Sequence, residues 1–296
     1  MFSGNKGTTE DLPILQNSYV HMKDKQVVLQ KINKIIRDGA EKLQIVTDFD
    51  LTLTKQHECG APILGSFGIF KKSNQIPSHY LEESKKFGTK YRAIQIDPHI
   101  PIEEKIVAMD EWYEAANMAT RNFMLNRDEI EKLVDLYGQP LRDRTKELFS
   151  KLGNLKVPIL VFSAGIGDIV EAVLKCRGIL QKNVNVISNF LKWNGDVLDG
   201  FKNSDRMIHV FNKSKHSVAN EYFKILRGRS NVVLMGDTIE DSQMADGVEE
   251  TETVLRIGFL YERVEESLPS FKDAFDIVLV DDQTMDVVLA ILGPIL

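Results

Sequence analysis

Six short runs dominated by β-branched and aliphatic residues recur along this chain: "LQIVT" (43–47), "VPILVF" (157–162), "VNVIS" (184–188), "NVVLM" (231–235), "TVLRI" (253–257) and "DIVLV" (276–280). None alternates cleanly between polar and apolar, as a strand with one wet face would. Helical patterns such as "RDRTKELFSKL" and "DIVEAVLKCRG" separate most of them. Continuous apolar strands alternating with helices predict an α/β fold with a parallel sheet covered on both faces. Ligands of such sheets gather at the carboxyl ends of the strands. Before the first run, "DKQVVLQKINKIIRDG" places Val27, Val28, Ile32, Ile35 and Ile36 at helical spacing, with Gly39 as the expected C-cap.

The region from about Tyr80 to Gln139 breaks this rhythm. It holds "SHYLEESKKFGTKY", "PIEEKIVAMDEWYEAANMA" and "NRDEIEKLVDLYG", three helical patterns with hardly a strand between them, punctuated by Pro77, Pro98, Pro101 and Pro140. We read residues 55–140 as a helical cap inserted after the first core strand, with 19–54 and 141–296 forming the catalytic core. "MFSGNKGTTEDLP" lacks the basic and apolar regions of a signal peptide, and residues 1–18 are expected to be a disordered lead-in. No apolar stretch reaches the roughly 18 to 20 residues of a membrane-spanning helix. With only Cys59 and Cys176 and a net charge of -6, a disulfide scaffold and a general nucleic-acid or membrane binder are disfavoured. A monomer in the cytoplasm, acting on a small molecule, is the expectation.

Four pieces follow strand-like runs in order: Asp48-Phe49-Asp50-Leu51-Thr52, then Ser163-Ala164-Gly165, then Lys213 in "HVFNKSK", then Gly236-Asp237-Thr238-Ile239-Glu240-Asp241. In a parallel sheet all four reach one rim. Several carboxylates meeting there repel each other unless a cation joins them. Mg²⁺ suits oxygen ligands and completes its shell with water and phosphate. The set fits phosphoryl transfer. Asp48 would attack phosphorus and form an aspartyl phosphate, while Asp50 would protonate the leaving alkoxide and later deprotonate water. Ser163 and the N–H groups opening the next helix would hold phosphate oxygens, and Lys213 would balance the spreading charge. Asp237 would bind metal, and Asp241 would hold Lys213 or a metal-bound water. Singly, each motif is commonplace, since Asp favours turns and caps anyway. Their order is the signal.

Those residues resemble the haloacid-dehalogenase superfamily of phosphohydrolases. "KLQIVTDFDLTLT", "EEKIVAMDEWY", "VFSAGIGD", "VISNF", "IHVFNK" and "MADGV" resemble, more narrowly, the cytosolic 5′-nucleotidase III family. The resemblance runs from about Val27 onward. It implies a Mg²⁺-dependent hydrolase of nucleoside 5′-monophosphates, pyrimidine or 7-methylguanosine, with a cap over a Rossmann-like core. By it, Asp48 is the nucleophile and Asp50 the acid/base. Asp48, Asp50 (through its carbonyl) and Asp237 sit at metal positions, and Ser163, Ala164 and Lys213 at phosphate positions; beside them we expect Asp241 at the metal and Gly165 at the phosphate. At the base, the family's acid, serine and stacking ring correspond to Gln95, Ala116 and Phe67. Capture of the phosphoryl group by a nucleoside, another small phosphomonoester as substrate, and non-catalytic nucleotide binding are the alternatives. Trp112 and Tyr113 are read as cap-helix core, and His209 and His216 as structural or surface residues.

Overall fold

The computed structural model describes residues 12–97, 99–213, 226, 228–246 and 250–296. The order of its main sheet follows from which strands can be buried on both faces. Strand β2 (Leu43–Thr47) is buried at every position, as is β10 (Asn231–Gly236). These two lie side by side in parallel, Val232 opposite Gln44 and Met235 opposite Thr47. On the far side of β2 comes β6 (Ile159–Ile166), then β7 (Val184–Asn189); beyond β10 come β11 (Thr253–Leu260) and β12 (Ile277–Val280), all parallel. The seventh strand, β1 (Val20–Met22), closes the edge antiparallel to β12. The order β1-β12-β11-β10-β2-β6-β7 therefore reverses direction between β2 and β10. A crevice opens at such a switch point, outside the strands' carboxyl ends.

Period-two geometry sends alternate residues of each strand to opposite faces. Ile45, Val233 and Met235 join one core, with Ile32 and Ile35 of helix α1 (Lys25–Asp38) and Val170 and Val173 of α7 (Gly167–Cys176). Val46, Val232 and Leu234 join the other, with Phe271 of α8 (Val264–Ala274). Helix α1 starts where the Asp24 carboxylate accepts from the Gln26 and Val27 N–H groups at 2.9 and 3.1 Å, and ends at Gly39, whose φ of 76° favours glycine. Val27 is exposed, so the apolar stripe is narrower than its spacing predicts.

Residues 13–16 correct the expectation of a lead-in disordered through residue 18. They form a short 3-10 helix because Leu15 is buried in the core; residues 1–11 lie outside the described residues. The segment between β2 and β6 is also less purely helical than its sequence suggests. Helices α3 (Ser78–Ile96) and α4 (Ile102–Ala119) pack on each other as expected. A two-residue hairpin, β3 (His57–Glu58) with β4 (Ala61–Pro62), and a short helix α2 (Ser66–Phe70) precede them. Strand β5 (Arg121–Met124) follows α4 and pairs with β9 (Val197–Phe201), itself paired with β8 (Leu191–Asn194). That three-stranded sheet draws on two stretches far apart in the chain. Helix α5 (Glu129–Tyr137) packs on α7, its Ile130, Leu133 and Val134 sharing the main core. Helices α6 (Thr145–Asn154) and α9 (Asp286–Leu292) complete the fold.

Candidate active site

Strand β2 delivers Asp48 to the crevice, and the Asp48 N–H donates to the Met235 carbonyl at 3.0 Å, keeping the chain beside β10 one residue past the strand. The Lys213 ammonium donates to Asp48 Oδ1 and, at 2.9 Å, to Asp241 Oδ1. Lys213 does not follow a strand as its motif suggests. It caps a 3-10 helix, Val210–Asn212, whose own N-cap is His209. Asp241 Oδ2 accepts from the Asp237 N–H at 3.2 Å, the Thr238 N–H at 3.0 Å and the Thr238 hydroxyl at 2.8 Å. Both of its oxygens are thus engaged by protein donors. Asp237 has a lighter hold, the Thr52 hydroxyl at 3.4 Å.

Carboxylate oxygens of Asp48, Asp237 and Asp241 lie within 4.8 Å of one another. Burial foremost, with the charges of Asp241 and Asp50 and against the pull of Lys213, pushes the Asp48 carboxyl up to about 7. Burial foremost, then Asp48 and Asp241, hold Asp237 well above the ordinary carboxylate range. Burial alone would lower the Lys213 ammonium, yet the Asp241 and Asp48 charges beside it raise it instead. One ammonium cannot neutralise this many buried acids. Asp48 and Asp237 therefore offer hard oxygen donors in a pocket short of positive charge, which is the donor set of a small divalent cation.

Asp50 points elsewhere. Its carboxylate accepts from the Ser66 N–H at 3.0 and 3.1 Å, the Ser66 hydroxyl at 2.8 Å and the Gln139 amide. Burial raises its pKa above the usual value despite these donors. Ser66 also accepts from the Ile166 N–H at 3.2 Å, tying Asp50 to the loop after Ser163. Gly165 is required by this contact, since a Cβ there would stand 2.0 Å from the Ser66 hydroxyl. Ser163, Ala164 and Gly165 prolong β6 rather than opening a helix. The strand runs to Ile166 with a register shift after Phe162, and α7 begins at Gly167. The Ser163 hydroxyl accepts from the Gly165 N–H at 3.1 Å.

Beneath Asp50, Leu51 adopts a φ of 64°, a left-handed conformation unfavourable to a branched side chain. Arg142 holds it there. The guanidinium is fully buried, donates to the Thr52 carbonyl at 2.6 Å, the Leu51 carbonyl at 2.7 Å and the Asp282 carbonyl, and lies 3.8 Å over the Phe259 ring.

A cavity of about 240 Å³ lies among α2, α3 and α4, walled by Phe67, Trp112 and Tyr113 with Lys71, Ser84 and Ala116. Tyr113 joins it to the acidic centre, since its hydroxyl donates to the Ala164 carbonyl at 3.2 Å. Phe67 meets Tyr113 edge-on at 6.3 Å, and Trp112 stacks on Tyr91 at 5.9 Å. Phe67 and Ala116 both line this one cavity. Gln95 does not: near the end of α3 and half-buried, it is not among the described residues lining this space. Trp112 and Tyr113 are more than core, because both face the cavity. His209 is structural as expected. It is buried, caps its 3-10 helix through Nδ1 and contacts Asp110 Oδ1 at 3.1 Å through Nε2. His216 lies outside the described residues. Ser66, Gln139 and Arg142 escaped the sequence reading, since a lone Ser, Gln or Arg carries no periodicity and each acts across a long chain separation.

The fold is shared, at 12% identity and a TM-score of 0.52, with a probable phosphoserine phosphatase from Vibrio cholerae, over 87% of this chain and 66% of that one. The sheet and the acidic crevice at its strands' carboxyl ends give the chain the α/β fold that this phosphatase shares. A crystal structure of cytosolic 5′-nucleotidase IIIB bound to cytidine matches with a TM-score of 0.92 and 42% identity, covering 96% of each chain. A 7-methylguanosine phosphate-specific 5′-nucleotidase of Drosophila melanogaster is 42% identical over 96% of this chain and 90% of its own; one of Homo sapiens is 34% identical over 97% and 96%. The chain belongs to the pyrimidine 5′-nucleotidase (UMPH-1) family, whose family model matches residues 51–296, and is a 5′-nucleotidase.

Proposed function

We propose that the protein hydrolyses nucleoside 5′-monophosphates to nucleoside and phosphate in a Mg²⁺-dependent reaction through an aspartyl phosphate. The observation that carries this reading is the meeting of Asp48, Lys213, Asp237 and Asp241 where the strand order reverses. Asp48 and Asp237, with the Asp50 carbonyl, would hold Mg²⁺, which when bound offsets the repulsion between carboxylate and phosphate dianion. Asp241, with both oxygens occupied, serves to aim Lys213 rather than to bind the metal.

A carboxylate oxygen of Asp48 attacks phosphorus and the bond from phosphorus to O5′ breaks. Asp50, kept protonatable by burial and aimed by Ser66 and Gln139, gives its proton to the departing alkoxide. It then takes a proton from water, whose oxygen attacks the phosphorus and releases Asp48 and inorganic phosphate. Lys213, Ser163 and the backbone around Ala164 and Gly165 hold the phosphoryl oxygens as their charge spreads. The base enters the aromatic cavity, against Phe67 and beside Ala116. We assign residues 55–140 to a cap over a core of 19–54 and 141–296, and the enzyme to the cytoplasm as a monomer. Purified protein with Mg²⁺ should release phosphate from CMP, UMP or 7-methyl-GMP, and Asp48→Asn should abolish release. Turnover surviving that substitution, or turnover in excess chelator, would sink the mechanism.

A further inference from the structure

Among the described residues, the cavity wall carries one charge. Lys71, the residue that ends α2, is half-buried there. Burial alone shifts its ammonium, downward, with no carboxylate acting on it. Several other lysines of this chain do sit on acids: Lys31 on Asp276, Lys55 on Asp143, Lys175 on Glu131. No acid stands among the described residues lining the cavity, and its other polar side chains are neutral or aromatic hydroxyls.

An ammonium in such a place has an electrostatic preference of its own. Ring faces like those of Phe67, Trp112 and Tyr113 attract a cation, so an aromatic box alone would welcome an N7-methylated purine, whose base is positively charged. Lys71 opposes that, because a second positive charge beside a half-buried ammonium is repelled more than it would be in open water. A neutral base bearing carbonyl oxygens is the complementary guest. Its oxygen would accept from Lys71 and relieve an ammonium otherwise only partly solvated.

We propose that Lys71 is a specificity-determining residue, selecting nucleoside monophosphates with a neutral, carbonyl-bearing base and rejecting those with a cationic methylated base. This rests on the reading that the base of a nucleotide substrate occupies the aromatic cavity. It sets the chain apart from the relatives named for 7-methylguanosine phosphate, to which it is otherwise similar.

The test compares kcat/KM for UMP, GMP and 7-methyl-GMP in the intact protein with Mg²⁺; GMP and 7-methyl-GMP differ only by the methyl group and its charge. Wild type should favour UMP over 7-methyl-GMP. Lys71→Met, which keeps most of the apolar stem, should move that ratio about ten-fold or more toward the methylated nucleotide, or about 1.4 kcal/mol. Lys71→Glu should move it further, while Lys71→Arg should hold the wild-type ratio. If Lys71→Met folds poorly, the Lys71→Gln and Lys71→Arg pair and competitive inhibition by uridine against 7-methylguanosine give the same comparison. A wild type preferring 7-methyl-GMP, or variants that lose activity equally on all three nucleotides, overturns the role of Lys71 while leaving the hydrolase reading intact. No Mg²⁺-supported turnover of any nucleotide by wild type overturns both.

Discussion

Single side chains set the geometry around Asp50, and two of them were invisible beforehand. Ser66 binds Asp50 through both its N–H and its hydroxyl and also receives the Ile166 N–H, so the loop around Gly165 is fixed by contact rather than by motif. Gly165→Ala should displace Ser66 and lower kcat/KM for CMP by about 100-fold, the scale of a misplacement of about 1 Å, with an unchanged circular-dichroism spectrum. Retained activity would show that the loop has room to give. Arg142 is the other such residue, braced on the Leu51 and Thr52 carbonyls. Arg142→Met should cost about 3 kcal/mol in urea unfolding, because buried carbonyls lose their donor. Asp48, Asp50 and Asp237 were legible because each follows an apolar run that became a core strand, whereas Lys213 was picked out by its motif although it ends a 3-10 helix. Gln95, matched by motif near the end of α3, lies off the lining of the aromatic cavity, because a motif along a helix does not say which way that part of it faces.

Elements carry the next level. Helix α1 depends on its Asp24 cap, and Asp24→Ala should lose about 1 kcal/mol of stability with kcat/KM untouched, as read by thermal melting beside steady-state kinetics. The 3-10 helix before Lys213 depends on His209, whose Nδ1 accepts from the Phe211 N–H while Nε2 faces Asp110. Burial lowers the His209 pKa although Asp110 opposes it. The unfolded chain then binds the proton more readily than the folded one, so stability falls as pH drops below the ordinary histidine value of about 6.5. His209→Gln should flatten that part of the stability profile between pH 7 and 5.5; an unaltered slope would assign the acid sensitivity to other groups. Most helices were legible from periodicity, and six of the seven strands of the main sheet from unbroken apolar runs. Strand β5 was not, because its partner β9 lies beyond the next two core strands and its four residues, "RNFM", carry no alternation of their own.

At the scale of the whole molecule, the charge imbalance in the crevice links stability to metal. Asp48 is raised to about 7 and Asp237 is raised with it. Without metal, these groups contribute most when protonated and progressively destabilise the fold as pH rises from about 4 through 7. A cation that binds only the folded, ionised pair reverses this. Millimolar Mg²⁺ should therefore raise Tm by more at pH 8 than at pH 5, and Asp237→Asn should shrink the difference; equal shifts at both pH values would contradict metal binding by these acids. The parallel sheet and its active rim could be anticipated, since apolar runs and motif order are local properties. The pairing of β5 with β9 could not. Because β5 is zipped to β9, a chimera that imports only residues 55–140 from a relative would carry one strand of a three-stranded sheet into a foreign host. Swapping substrate selectivity between such enzymes calls for transplanting residues 191–201 in the same graft.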